Sequence, residues 1–116
     1  MGLGFKIRID KRDKIFSLLV RERANWKCEA CGRDFSQNHG SLDCSHFYGR
    51  RRRSTRWWPD NAAAHCKSCH RYFTENPAAF ATWINNHLTE KARADLWVRQ
   101  AWIVHWRKPE IEAIYQ

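Results

Sequence analysis

Two short stretches, CEAC at residues 28–31 and CKSCH at residues 66–70, say the most about the architecture of this chain. Each contains a Cys-x-x-Cys pair, a spacing that lets two thiolates bind the same tetrahedral metal ion. Two such pairs complete a closed structural zinc site, so the spacing predicts one Zn²⁺ that joins both ends of the intervening segment. Its predicted ligands are Cys28, Cys31, Cys66 and Cys69.

The length of 116 residues suits one domain with a modest hydrophobic core, which a bound metal ion would stabilise. Hydrophobic periodicity and turn residues predict an α+β fold that is mostly helical. We expect a single domain over residues 1–116, with a zinc-stapled core between flanking helices. Its parts are an N-terminal helix at 10–25, the zinc-stapled core at 26–76 and C-terminal helices at 77–116.

Within these parts, six elements are predicted. Ile15, Leu18 and Leu19 recur at helical spacing and form the apolar face of the first helix. The elements are a helix at 11–24, a strand at 41–48, a helix from Cys66 to Phe73, a helix from Pro77, a helix at 89–106 and a short helix from Pro109.

The chain is strongly basic, with a formal net charge of +9 at pH 7. Such a surplus suits a polyanionic partner, and nucleic acid is the commonest one. Solubility alone would also account for surplus charge, but five arginines are concentrated just after the predicted strand. Planar guanidinium groups favour phosphate contacts, so we expect these arginines to bind DNA. They are Arg50, Arg51, Arg52, Arg53 and Arg56.

The cysteine count and the apolar runs bear on the cellular compartment. Five cysteines are an odd number, and Cys-x-x-Cys spacing without a signal peptide favours thiolates on metal over disulfides. No apolar run approaches the roughly 20 residues needed to span a bilayer, so we expect a soluble cytoplasmic protein without a membrane partner. The fifth cysteine, Cys44, is expected to pack as a small apolar residue. Trp57 and Trp58 are expected in the core rather than stacked on bases.

Three polar residues occur in the order His46, Asn61, His70, at separations of fifteen and nine residues. Phosphodiester hydrolysis needs a base that activates water and a cation that neutralises charge on the phosphate. A neutral histidine suits the base, and Mg²⁺ or another hard divalent cation suits the phosphate. An asparagine between the histidines can fix the connecting loop through bonds to backbone groups. This order favours a nuclease built on a zinc scaffold.

The stretch Asn61-x4-Cys66-x2-Cys69-His70 resembles the second half of the HNH endonuclease motif, and His46 is similar to its first histidine. The distance from the first cysteine pair to His46 is also similar to that in endonuclease VII-type resolvases. Those proteins share the four-cysteine zinc site and end their motif in Asn.

The resemblance is closest to the phage NinG (Rap) family of recombination nucleases. It is carried by LDCSHFYGR at 42–50 and TRWWPDNAAAHCKSCHRYF at 55–73, and it covers residues 28–76, under half of the chain. It implies a ββα-metal (HNH, or His-Me finger) core and a metal-dependent endonuclease that hydrolyses phosphodiester bonds. The implied substrate is duplex or branched DNA in phage or prophage recombination, in the host cell cytoplasm if a phage encodes the protein.

The resemblance also implies roles for single residues. His46 would be the general base, His70 a ligand of the catalytic divalent cation, and Asn61 the residue that fixes the loop. The chain departs from many HNH enzymes at Ser45, where those enzymes have Asp or His as the second metal ligand. The resemblance to the NinG family offers Asp43, three positions before His46, as the candidate for this ligand. In an ideal strand it points to the face opposite His46, so a bulge is expected between them.

Other interpretations stay open from the residues themselves. His46 could be an ordinary core residue, and His70 could be the fourth ligand of a zinc site with three cysteines. The segment could also be a non-catalytic zinc-binding module that binds DNA, which needs no base at His46. A Cys-x-x-Cys redox protein is disfavoured because no βαβ pattern is visible.

The C-terminal region is apolar on more sides than packing on one small domain requires. Its large apolar residues between 94 and 106 are Leu96, Trp97, Val98, Trp102, Ile103 and Trp106. An exposed patch of this kind marks an interface, and two sites related by a twofold axis suit cleavage of two DNA strands. We expect a homodimer through these C-terminal helices. The alternative is that helix 11–24 and the short final helix cover the patch within a monomer.

Overall fold

The computed structural model describes residues 8–102, which form four helices and one two-stranded sheet. The elements are α1 (Lys11–Arg23), β1 (Leu42–His46), β2 (Ala62–Cys66), α2 (Lys67–Glu75), α3 (Pro77–His87) and α4 (Glu90–Arg99). Short 3₁₀ helices at His39–Ser41 and Pro59–Asn61 precede the two strands. The fold is α+β, as predicted. The helix predicted from Pro109 lies outside the described residues.

The two strands pair antiparallel in a regular register, from Leu42 opposite Cys66 to His46 opposite Ala62. β2 runs directly into α2, so the chain has the order strand, strand, helix. β2 is absent from the elements predicted above, because three successive alanines have low strand propensity. Pairing with β1 and burial of all five β2 residues stabilise the strand instead.

α1 begins at a capping box that Asp10 and Asp13 form. The Asp10 side chain accepts hydrogen bonds from two backbone N–H groups of the first turn, and Asp13 accepts one from the backbone of Asp10. The helix buries Phe16 and Val20, whereas Leu18 of the predicted apolar face is exposed. The buried stripe is therefore rotated from the predicted one, because it follows the residues that pack on the sheet.

Two buried clusters lie on the sheet. The first joins α1 to the sheet and to the connection between the strands, and it contains Phe16, Val20, Trp57 and Ala62, with Cys44 and Trp58 packed against it. The second surrounds the cysteine pairs and contains Cys28, Leu42, Ala64 and Cys66, with Ala24, Trp26, Phe35 and Cys69 at its edge. The predicted core positions of the two tryptophans and of Cys44 are confirmed.

A third apolar region holds α2 and α3 against β2. His65 of β2 is fully buried there, and its ring lies 5.1 Å from Phe73, 6.1 Å from Phe80 and 4.6 Å from Trp83 between centroids. Within residues 8–102, neither ring nitrogen of His65 has a hydrogen-bond partner. The surroundings of His65 therefore suit an apolar side chain, and burying its two unpaired ring nitrogens costs free energy.

α4 ends at Arg99, whereas the prediction extended this helix to residue 106. Thr89 caps its start by accepting a hydrogen bond from the backbone of Ala92 at 3.1 Å. Leu96 is its buried residue, and Trp97 and Val98 are exposed. None of the helices within the described residues is long and apolar enough to cross a bilayer.

Candidate metal centre and histidine cleft

The four predicted zinc ligands lie together. The sulfur atoms of Cys28, Cys31, Cys66 and Cys69 are all within 4.8 Å of one another. The Sγ atoms of Cys31 and Cys66 are 3.8 Å apart. Zinc–sulfur bonds of about 2.3 Å in a tetrahedron place neighbouring sulfurs about 3.8 Å apart. The four cysteines therefore fit one metal ion such as zinc.

Local backbone geometry explains how each pair presents its sulfurs. In the first pair, Gly32 has φ +80° and donates its N–H to the carbonyl of Cys28 at 2.8 Å, which closes a tight turn. The N–H of Cys31 points at the sulfur of Cys28 at 3.5 Å. In the second pair, Cys66 ends β2 and Cys69 lies in the first turn of α2. The positive end of the α2 dipole thus faces thiolates.

The protonation of Cys69 reflects its crowded surroundings. Burial, together with the neighbouring Cys66 and Cys28 sulfurs, raises the pKa of the Cys69 thiol. A bound dication reverses this balance, because it stabilises thiolates directly. Cys44 lies outside the cluster, and burial raises its pKa to about 12, so it stays a neutral thiol packed on the core.

Beside this cluster a cleft of about 600 Å³ is lined by α1, β1, α2 and the chain just after β1. The strand contributes Asp43, Cys44 and His46, and α2 contributes His70. The remaining lining residues are Ile9, Asp13, Lys14, Ser17, Arg21, Gly49 and Arg50. Both histidines of the predicted motif thus face one cleft.

His46 has one ring nitrogen engaged. Its Nε2 donates to the backbone carbonyl of Arg56 at 3.0 Å, which places the proton on Nε2 and leaves the lone pair on Nδ1. Burial lowers the pKa of His46 to about 4, although the bond to the carbonyl works in the opposite direction. The ring is therefore neutral at pH 7 in the tautomer that can accept a proton on Nδ1.

Asn61 is fully buried and binds backbone at two places along the connection between the strands. Its carbonyl accepts the N–H of Tyr48 at 2.8 Å, and its amide group donates to the carbonyls of Tyr48 and Thr55, both at 2.9 Å. These bonds use three of the four bonding positions of the amide. Asn61 directly precedes β2, so its side chain ties the backbone of Tyr48 and of Thr55 to the beginning of that strand.

Asp43 bonds to two residues of α2. Its Oδ2 accepts a hydrogen bond from His70 Nδ1 at 2.9 Å, and its Oδ1 accepts one from Lys67 Nζ. Burial opposes ionisation of Asp43, but the bonds from Lys67 and His70 outweigh it and lower the pKa of the carboxyl group. Within residues 8–102, the four cysteines group as metal ligands without His70. This arrangement disfavours the reading of His70 as a zinc ligand.

The expected bulge between Asp43 and His46 is not present, and that prediction is wrong. β1 pairs with β2 residue by residue along its whole length. Asp43 and His46 nevertheless line the same cleft, because the cleft receives residues from both faces of β1.

The arginines predicted to bind DNA fall into two groups. Arg56 is buried and forms a two-point ion pair with Asp13, at 2.9 Å and 2.6 Å, which also accepts the indole N–H of Trp57. Its guanidinium is therefore used inside the protein. Arg52 donates to Gln100 at 2.6 Å. Arg53 lies 5.6 Å from the ring centroid of Trp57.

Arg50 and Arg51 make up the second group. Arg50 lines the cleft, and Arg51 is exposed. Arg50 is therefore placed to meet a partner that reaches the cleft from solvent.

It was not predicted from the sequence that residues of α1 would line the cleft. Lys14, Ser17 and Arg21 stand at intervals of three and four residues, so they share one stripe of the helix. That spacing is visible in the sequence, but which stripe faces the cleft depends on how α1 packs on the sheet. Arg21 donates to the carbonyls of Ser17 and His39, at 3.1 Å and 3.2 Å, so it also fixes backbone.

Comparison of the chain with models of protein families, with characterised proteins and with solved structures finds no match. The HNH and NinG resemblance therefore rests on the motif residues themselves.

Proposed function

We propose that the protein is a metal-dependent DNA endonuclease of the HNH type, in which β1, β2 and α2 are the ββα-metal core. The observation that carries the proposal is that His46 and His70 line one cleft beside a four-cysteine cluster. Their positions, one at the end of β1 and one in α2, are those that the motif assigns to the base and the metal ligand. Zinc, held by the cysteines, is the structural ion.

His46 has the properties of a general base. Its ring is neutral at pH 7, and Nδ1 keeps a lone pair that can take a proton from water. Once protonated, the ring remains bonded through Nε2 to the carbonyl of Arg56, which stabilises the positive charge. Asn61 fixes the connection that carries this carbonyl by binding Thr55, the residue before Arg56.

His70 and Asp43 fit a hard divalent cation such as Mg²⁺. Their atoms Nδ1 and Oδ2 are 2.9 Å apart. Once the Nδ1 proton moves to Nε2, the imidazole nitrogen and the carboxylate oxygen would both be free to hold one cation in place of the hydrogen bond between them. Such an ion would neutralise charge on the phosphate and on the leaving oxygen.

The basic residues around the cleft fit the DNA backbone. Lys14 and Arg50 line it, the next residue in the chain, Arg51, is exposed, and the whole chain carries a net charge of +9. Cations of this kind neutralise phosphates without reading the base sequence. Duplex or branched DNA from phage recombination is the substrate that the resemblance suggests.

The test is divalent-ion-dependent cleavage of linear, nicked and four-way DNA by the wild type and by His46→Ala. We expect the variant to keep its fold and its DNA affinity but to cleave at least about 100-fold more slowly, as is typical when a general base is lost. His39→Ala is a matched control, because His39 is exposed and does not line the cleft.

Equal cleavage by His46→Ala and the wild type would reject the proposed mechanism. DNA binding without divalent-ion-dependent cleavage by the wild type would favour the non-catalytic zinc module.

A further inference from the structure

The ammonium group of Lys67 binds the carboxylate of Asp43, which the proposed function assigns to the divalent cation as a ligand. Lys67 is the first residue of α2, and its Nζ bonds to Oδ1 of Asp43 while His70 bonds to Oδ2. Both oxygens of Asp43 therefore have a donor. The Lys67 side chain is 62% exposed and does not line the cleft, so water reaches it.

We propose that Lys67 is a built-in competitor of the divalent cation, and that it sets the cation concentration the site requires. The inference rests on the proposed function, because it concerns the same pair of ligands. An ammonium and a divalent cation both seek Asp43 Oδ1, and a carboxylate already bound to one is a weaker ligand for the other.

The strength of this competition is limited by solvent. An ion pair as exposed as Lys67–Asp43 is worth little by itself, and the flexible lysine stem lets the ammonium swing away. The positive charge nevertheless stays within several ångströms of the site after it leaves, and it repels a divalent ion. At that separation in water, with ordinary salt, the repulsion corresponds to about a 3- to 10-fold change in affinity.

The experiment measures Mn²⁺ binding to the full zinc-loaded chain without DNA, from the electron paramagnetic resonance signal of free Mn²⁺. We expect Lys67→Met to bind Mn²⁺ about 3- to 10-fold more tightly than the wild type, and Lys67→Arg to resemble the wild type. Raising the salt from about 50 mM to about 500 mM should shrink the difference, because the repulsion acts through solvent.

Two controls make the result specific. Lys91→Met removes another exposed lysine, paired with Asp95 at 3.0 Å on α4, and should leave Mn²⁺ affinity unchanged. Asp43→Asn removes the shared carboxylate and should weaken Mn²⁺ binding in either background.

The outcomes separate this inference from the proposed function. Equal or weaker binding by Lys67→Met, while Asp43→Asn abolishes binding, would overturn the competitor role and leave the metal site intact. Mn²⁺ binding that is insensitive to Asp43→Asn, or that is absent from the wild type and Lys67→Met alike, would overturn both.

Discussion

At His46, one hydrogen bond and partial burial determine both the tautomer and the charge of the ring. The bond from Nε2 goes to the carbonyl of Arg56, and the Arg56 side chain is held by Asp13 at 2.6 Å. Asp13 is also the third residue of α1 and completes the capping box with the N-cap Asp10. The arginine expected on DNA thus supports the proposed base from inside the protein. Breaking such a buried pair by removing one partner costs about 3–5 kcal/mol.

His65 leads to a prediction at the same scale. Burial lowers its pKa in the folded protein to about 4, whereas the unfolded chain has a pKa near 6.5. The unfolded chain therefore takes up the proton first as the pH falls below about 6.5, and the folded state loses stability down to about pH 4. Above pH 6.5 this contribution is fully present. We expect His65→Phe, which does not titrate, to lose less stability over this window than the wild type.

Urea unfolding from pH 7.5 to 5 measures the difference, which can reach about 2 kcal/mol at pH 5 because the folded pKa is not yet reached there. Protonation of the zinc thiolates also destabilises the fold in acid, but it affects every variant alike. His39→Phe, at an exposed histidine, should keep the pH dependence of the wild type. Parallel curves for His65→Phe and the wild type would show that His65 does not contribute.

Among the helices and strands, features that depend on neighbouring residues could be predicted from the sequence, and features that depend on long-range contacts could not. Pro77 at a helix start is a short-range feature, and α3 begins there as predicted. β2 could not be found in this way, because its alanines form a strand only through pairing with β1. The end of α4 at Arg99 was missed as well, since the apolar residues continue beyond it.

The candidate site follows the same division. The cysteine spacing predicted the cluster, since two residues between ligands suffice to bring two sulfurs together. The order of His46 and His70 placed both near one cleft. Lys14 and Lys67 were not found, because their relevance depends on how α1 and α2 lie against β1. The absence of a bulge could not be read from residues 41–48 either, since it depends on the pairing with β2.

The cysteine cluster lies where β2 meets α2, so a bound metal ion would stabilise that junction. Cys66 ends β2 and Cys69 lies one turn into α2, so a bound zinc ties that junction to the first cysteine pair. We expect one zinc per chain by elemental analysis, and loss of helical circular dichroism when a chelator removes it or when Cys66→Ser is introduced. Cys44→Ala should retain the zinc. A folded, zinc-free wild type would contradict this prediction.

The connection between the strands makes a prediction about DNA. Each cation that contacts a phosphate of duplex DNA contributes about 0.9 to the slope of log affinity against log salt. We expect Arg50→Ala with Arg51→Ala to lower this slope by about 1.8, because Arg50 lines the cleft and Arg51 is the exposed residue that follows it in the chain. Arg56→Ala should instead lower thermal stability, since its partner is the buried Asp13. An unchanged slope in the double variant would show that Arg50 and Arg51 belong to a solvated loop and do not contact DNA phosphates.

At the scale of the whole molecule, an apolar groove lies on the side of α4. The groove is about 590 Å³ and lies between α3, α4 and the residues after β1. Its apolar lining includes Phe47, Ile84, Leu88 and Trp97. In the alternative to a dimer, helix 11–24 would cover this patch within a monomer, but α1 packs against the two strands. Ile103 and Trp106, which belong to the predicted patch, lie outside the described residues.

This groove is where the homodimer prediction can be tested. Trp97 is 65% exposed and Val98 55%, and large apolar side chains exposed together favour an interface. We expect the wild type to sediment at micromolar concentration at twice the chain mass of 13.9 kDa, and Trp97→Glu to sediment as a monomer. Tyr72→Glu is the matched control, because Tyr72 is also exposed, at 55%, but lies on α2 and does not line the groove. A wild type that stays near 13.9 kDa at every loading would rule the dimer out, and cleavage of two strands would then need two separate binding events.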